Sequence, residues 1–137
     1  MNSTPAITVR PLAGLPMFAP GMSIVQAICS KLADEGDGLR DGDICVIAQK
    51  IVSKVEGRAV CLGAITSGEA ARDLAGRTER EPAMAQAILD ESAEIMRATP
   101  AAIIARHRTG HVLANAGIDA SNIEGGDEEN VLLWPRD

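Results

Sequence analysis

Aromatic side chains are almost missing from this 137-residue chain, which has one Phe (Phe18), one Trp (Trp134) and no Tyr. A surface that stacks successive bases of a single strand needs several aromatic rings, so that class of nucleic-acid platform is excluded. Positive charge is also in short supply: 13 Lys and Arg stand against 19 Asp and Glu, a formal net charge of −6. Proteins that grip nucleic acid by neutralising phosphates carry the opposite balance, so no nucleic-acid partner is expected. No apolar run approaches the ~20 residues that a membrane helix requires, and the first ten residues lack a basic segment followed by an apolar one. The expectation is a soluble, cytoplasmic chain with no membrane partner. The three cysteines, Cys29, Cys45 and Cys61, are an odd number with long spacings and no C-x-x-C pair. That excludes a disulfide framework and a zinc cluster, and leaves three small core residues in a reducing compartment as the expectation.

What is present is aliphatic. Hydrophobic residues make up 46% of the chain and 22 of them are Ala, so the core has to be built from Ala, Val, Ile, Leu and Met. The length fits one domain over residues 1–137. Ile7, Val9 and Leu12 predict a short opening strand, ended by Pro11 and the turn Ala13-Gly14-Leu15-Pro16. Met22 to Leu32 has helical spacing with Ser23 as N-cap, and a polar, Gly-rich turn follows over residues 34–43. Ile44-Cys45-Val46-Ile47-Ala48 is a continuous apolar run, the pattern of a strand covered on both faces. A weaker strand is expected over Arg58 to Leu62. A helix is expected over Gly68 to Arg77, opened by a Thr66/Glu69 capping box. Pro82 near the start of Glu81 to Ala98 predicts an amphipathic helix ended by Pro100. Ala102 to Arg106 and His111 to Ala114 predict a hairpin turning at Thr109-Gly110, followed by polar loops at 115–122 and 125–130. The class is α+β, a mixed sheet with helices, without repeats or an internal linker.

Two loops concentrate chemistry. Residues 49–57, Gln-Lys-Ile-Val-Ser-Lys-Val-Glu-Gly, place Lys50, Ser53 and Lys54 at the carboxyl end of the predicted buried strand. Lysine is a compact charge suited to phosphate oxygens, and a solvated basic face is the alternative. Neither standard Gly-rich phosphate cradle is present. Residues 115–122 carry Asn115, Gly117, Asp119, Ser121 and Asn122. Asp119 suits a hard cation that takes one or two carboxylates plus phosphates and waters, and a self-satisfied Asx-turn is the alternative. His107 and His111 suit a hydrogen-bonded or solvated pair better than a metal pair. Asp90, Glu91 and Glu94 suit a polar helix face, and Glu128 and Glu129 a solvated tail.

These segments together resemble a known family. Residues 46–58, VIAQKIVSKVEGR, resemble the VVAQKIVSKAEGR segment of the coenzyme F420-0:L-glutamate ligase (gamma-glutamyl ligase) family. Residues 114–122, ANAGIDASN, are similar to its NAGIDASNV. Gly14-Leu15-Pro16 and the ILDES of residues 88–92 match in the same order, so the resemblance covers nearly the whole chain.

The resemblance implies an α+β ligase fold and GTP-dependent addition of L-glutamate to a deazaflavin precursor through an acyl phosphate. It also implies Mg²⁺ or Mn²⁺ and a homodimer. It carries GTP contacts onto Gly14, Leu15, Pro16, Met17, Gln49, Lys50, Lys54 and Asn122, and the metal onto Asp119. Lys54 and Asp119 are the implied catalytic pair, with Lys54 on phosphate charge and Asp119 on the metal. The family runs on past an LLLPxDPDxSA segment into a second half with further metal ligands. Residues 131–137, VLLWPRD, stop inside that segment, with Trp134 where an aliphatic residue is usual. The resemblance therefore implies the N-terminal half of the fold. That half is either completed by a separate C-terminal half or acts as a catalytically incomplete guanine-nucleotide-binding or dimerisation module.

Overall fold

Local capping and turn chemistry set the element boundaries in a computed structural model that describes residues 6–120 and 130–136. Ser23 stands in an extended conformation and its hydroxyl accepts the Gln26 N–H, opening helix α1 at Ile24–Asp34 as expected. Helix α2, Gln49–Val55, replaces the loop expected over these residues. Strand β1, Ala59–Cys61, follows directly. Helix α3, Glu69–Thr78, takes Gly68 rather than Thr66 as its N-cap, and the Gly68 N–H donates to Gln86 Oε1 instead. Helix α4 is Pro82–Glu91, with Pro82 in its first turn, where the missing N–H costs nothing. Strands β2 (Ser92–Ala98), β3 (Ile103–His107), β4 (Val112–Ala114) and β5 (Asn130–Leu132) follow, with short 3-10 turns at Leu62–Ala64 and Asn115–Gly117.

The expected helix over 81–98 is thus half helix and half strand, and the reason lies in the register. β2 pairs antiparallel with β3, with irregularities between Ser92 and Glu94 and between Ile95 and Arg97. Each bulge inserts an extra residue, so the inward positions of β2 fall at Ser92, Ile95 and Ala98, three apart instead of two. A strand with two bulges copies the spacing of a helix. The hairpin of β3 and β4 forms as expected, with the Gly110 N–H donating to the His107 carbonyl.

Among the described residues two sheets result, β2-β3-β4 and the pair β1-β5, both antiparallel. Helices α3 and α4 cover them through Leu74, Ala75, Ala85 and Ile88, which pack with Ile103, Ala105, Val131 and Leu133. Alanines at these positions let the helices approach closely, which is how a chain with so few aromatics still closes a core.

Buried within it is an ionic cluster that the sequence pattern missed. Glu91, the last residue of α4, was expected on a polar helix face; it is buried instead. Its Oε2 accepts from Arg58 Nη2 and lies 3.1 Å from His107 Nε2, while Arg58 Nε donates to the Trp134 carbonyl at 3.0 Å. Largely buried charges persist when each is paired and hydrogen-bonded.

Three expectations fail in one direction. Residues 7–12 and 44–48 were expected as strands, the second buried on both faces. Neither forms a strand, and neither finds a ladder partner among the described residues. Ile7, Val9, Ile44 and Val46 are 93%, 87%, 87% and 92% exposed. Cys29, Cys45 and Cys61 are exposed rather than in the core, and none is in a disulfide among the described residues. The two apolar segments leave from one polar clasp. Arg10 pairs with Asp37 at 2.8 Å and Arg40 with Asp37 at 3.2 Å, and the Arg40 N–H donates to Asp43 beside Ile44.

Removing the Glu91 carboxylate leaves Arg58 buried without its counter-charge and His107 Nε2 without its hydrogen-bond partner. Glu91→Ala is expected to lower the unfolding free energy in urea by about 3–5 kcal/mol, and Glu91→Gln by less, since it keeps an acceptor. The Asp37 carboxyl is held below its ordinary value of 3.8 by the Gly38 N–H first and by the Arg10 charge second. Because the folded value lies below the unfolded one, the clasp contributes fully above that value and fades as pH falls below it. Melting temperature followed from pH 5 downward should therefore drop less for Asp37→Asn than for the natural chain.

Candidate functional site

The tightest feature of the site is a loop held in an unusual backbone conformation. Asn115, Ala116 and Gly117 all have positive φ, at 50°, 53° and 77°. Successive left-handed residues other than glycine cost energy, and they persist where the surroundings over-determine them. Here Ala116 is fully buried in the core, and the Asn115 carbonyl accepts the Ile118 N–H. At Gly117 a Cβ would lie 2.6 Å from the Trp134 ring, so only glycine fits both the φ and the close approach. The loop then delivers Asp119, whose N–H and C=O both bond to Leu132, at 2.9 and 2.8 Å. Asp119 is thus fixed by its own backbone, and its side chain is 27% exposed.

Opposite stands α2. Lys50 Nζ lies 2.9 Å from Asp119 Oδ2, with the side chains 31% and 27% exposed. The two chemistry-bearing loops of the sequence therefore meet at one ion pair. Lys54, one helical turn after Lys50, is half-buried. Gln49 turns elsewhere. Its Nε2 donates to the buried Ser53 hydroxyl at 2.6 Å, and it borders a 480 Å³ cleft with Val52, Thr109, His111, Trp134 and Arg136.

The Gly14 turn reaches this helix indirectly. Gly14 has φ +72°, and Lys31 Cε and Nζ lie 3.6 Å from where its Cβ would stand. Phe18 is buried and anchors the segment, with Leu15 half-buried and Pro16 and Met17 exposed. Further on, the Gly21 N–H donates to the Val55 carbonyl at 2.8 Å, joining this segment to α2 beside Lys54. Lys31 is a cation that sequence reasoning missed. Its helical position carries no mark, and only the tertiary packing lays it against Gly14, with Glu35 3.1 Å away. Asn122 and Ser121 lie outside the described residues, as do Glu128 and Glu129.

The histidines form a relay through Thr109. Its Oγ1 is 2.9 Å from His107 Nδ1 and 2.8 Å from His111 Nδ1, and the His111 ring tilts against Trp134 at 5.8 Å. This is the hydrogen-bonded pair expected. Arg58, Glu91 and His107 also line a second, 340 Å³ cleft with Arg108 and Arg136.

Among the described residues no group of three His, Cys, Asp or Glu side chains could hold a metal ion. Mg²⁺ and Mn²⁺ do not require such a cage, because they combine one or two carboxylates with phosphate oxygens and water. Asp119 fits as one such ligand. The Lys50 ammonium beside it shows that the carboxylate already faces positive charge.

Comparison with known proteins follows this geometry. The family model described as F420-0:gamma-glutamyl ligase matches residues 14–137, from the Gly14 turn to the end of the chain. Among curated proteins, the coenzyme F420:L-glutamate ligase of Methanothermobacter thermautotrophicus is 43% identical over 120 residues, 88% of this chain and 48% of the relative. That of Methanosarcina mazei is 40% identical over 121 residues, 88% of this chain and 44% of the relative. That of Methanopyrus kandleri is 34% identical over 137 residues, the whole of this chain and 51% of the relative. The chain spans about half the length of these curated relatives. It belongs to the F420-0:gamma-glutamyl ligase family.

Proposed function

We propose that this chain supplies the nucleotide- and metal-binding half of a GTP-dependent ligase, one that joins L-glutamate to a deazaflavin precursor of coenzyme F420. The observation that carries this reading is the Lys50–Asp119 pair, which joins helix α2 to the sequence-distant loop after β4 in one cation-and-carboxylate site. The names of the relatives supply the glutamate and the coenzyme. GTP, the divalent cation, the acyl phosphate and a homodimer are parts of the proposal.

A carboxylate is a poor electrophile, and an amine does not displace its oxygen at useful rates. Transfer of a γ-phosphoryl group onto it gives an acyl phosphate, and the glutamate amine then displaces phosphate. Phosphoryl transfer is governed by positioning and charge neutralisation rather than by covalent chemistry from the protein. Lys54 and Lys50, one turn apart on α2, present two ammonium groups to the phosphates. A divalent cation at Asp119 would add charge neutralisation across neighbouring phosphate oxygens. Asp119 holds its position through the paired bonds to Leu132, so its carboxylate need not reorganise when Lys50 turns from it to a phosphate. Gly14 has no side chain of its own at this turn, and Lys31 Nζ lies 3.6 Å from where its Cβ would stand. Asn122 would orient the nucleotide.

Titration calorimetry with GTP and Mg²⁺ tests the binding half of the proposal. Heat with a definite stoichiometry is expected, and its absence overturns that half. Asp119→Asn should weaken Mg²⁺-dependent GTP binding by tenfold or more while costing under ~1 kcal/mol of stability, as a partly exposed ion pair does. Lys54→Ala should weaken GTP binding with or without the metal. If Asp119→Asn lowers the melting temperature and leaves binding intact, Asp119 is a turn-former and its assignment fails. Mass spectrometry for glutamylated precursor, with the rest of the ligase supplied, tests the catalytic half; no product overturns it.

A further inference from the structure

The buried Arg58–Glu91–His107 cluster opens onto the 340 Å³ cleft, whose wall is completed by Arg108, Thr109 and Arg136. A volume of this size suits a small ligand. The charges in the wall do not balance. Glu91 is the one carboxylate lining the cleft, and it pairs with Arg58. Arg108 and Arg136 are left as two positive charges, and neither guanidinium is in an ion pair among the described residues. Both are nonetheless rooted. The Arg108 N–H donates to the Glu91 carbonyl at 3.1 Å, and the Arg136 N–H donates to Glu56 Oε2 at 2.6 Å. An arginine with a fixed main chain and an unengaged guanidinium is suited to a carboxylate, because its planar fork matches the two oxygens.

We propose that this cleft holds the L-glutamate substrate, with Arg108 and Arg136 taking its two carboxylates. Two unpaired guanidiniums match the two carboxylates of glutamate one for one. The wall also offers acceptors for the ammonium group. Glu91 uses Oε2 for both Arg58 and His107, so Oε1 remains, and Thr109 Oγ1 lines the same cleft. The position suits the chemistry as well. Thr109 and Arg136 border both this cleft and the 480 Å³ cleft, and Gln49 borders the wider one from the start of α2, one residue before Lys50. Glutamate held here lies on the surface that leads to the helix carrying Lys50 and Lys54. Inorganic phosphate fits less well, because it makes no use of Glu91 and is repelled by that carboxylate. The choice of glutamate rests on the ligase function proposed above, whereas the preference for two carboxylates and an ammonium group rests on the cleft alone.

Backbone amide chemical shifts of the isotopically labelled chain, followed during titration with L-glutamate, test the assignment. Saturable movement of the Arg108, Thr109 and Arg136 amides is expected, with L-glutamine binding at least tenfold more weakly. Arg108→Gln and Arg136→Gln should each weaken glutamate binding at least fivefold. Both should leave the melting temperature unchanged, since these side chains are exposed. Arg97→Gln, at an exposed arginine outside the cleft, should leave binding as it was. Amides that do not move overturn the proposal, and so does glutamine binding as tightly as glutamate. Phosphate that moves the same amides at the same concentrations overturns it in favour of a general anion site. Calorimetry with GTP reads the proposed function separately. Heat with GTP but no response to glutamate defeats the cleft assignment alone, and the reverse result defeats the nucleotide reading alone.

Discussion

The Glu91 carboxylate is the point on which the rest of the structure hangs. It ends α4, accepts from Arg58 at the entry to β1, and meets His107 at the end of β3. Arg58 then reaches on to the Trp134 carbonyl, and the Leu133 N–H donates to the Arg58 carbonyl. Four distant parts of the chain are thereby locked to one buried charge. Such a cluster adds less net stability than apolar packing of the same volume would, but it tolerates few alternative arrangements. Its consequence for the site is direct. Trp134 is held where it presses on Gly117, Gly117 fixes the left-handed loop, and the loop sets Asp119 against Lys50.

Order in the molecule therefore runs from a charged core outward to a charged site. The aliphatic packing of α3 and α4 on the β2-β3-β4 sheet provides the bulk, and alanine makes it thin. The strained residues at Asn115 and Ala116 sit against this core, with Ala116 fully buried. Strain of this kind persists where the surroundings enforce it and where the geometry is put to use. On the other side, the apolar segments at 7–9 and 44–47 lie outside this core, and the Asp37 clasp is what holds their bases together.

Much of the secondary structure was legible in residues whose effect is local. Ser23 caps α1, Pro82 opens α4, and Thr109-Gly110 turns the hairpin, because capping and turn chemistry act over three or four positions. The helix expected over 81–98 misled because two β-bulges gave β2 the inward spacing of a helix, and nothing local distinguishes the two. Gly68 rather than Thr66 stands at the N-cap of α3, and its N–H donates to Gln86 of α4, a contact that no local pattern shows. The cysteines were placed in the core on residue type alone, and residue type does not say which surface is covered.

The sequence by itself determined the class of the protein: aliphatic, acidic, α+β, with two motifs specific enough to imply a ligase family. Those properties reside in composition, in short-range spacing and in residue identity, which do not depend on the fold being formed. Only the tertiary structure decided that Lys50, rather than Lys54, meets Asp119, that Lys31 lies against Gly14, and that Glu91 is buried. Each of these is a meeting of residues far apart in the chain, set by packing that no local pattern encodes. The apolar run at 44–48 marks the boundary between the two. Its composition demanded burial, and the fold of these residues leaves that demand unmet.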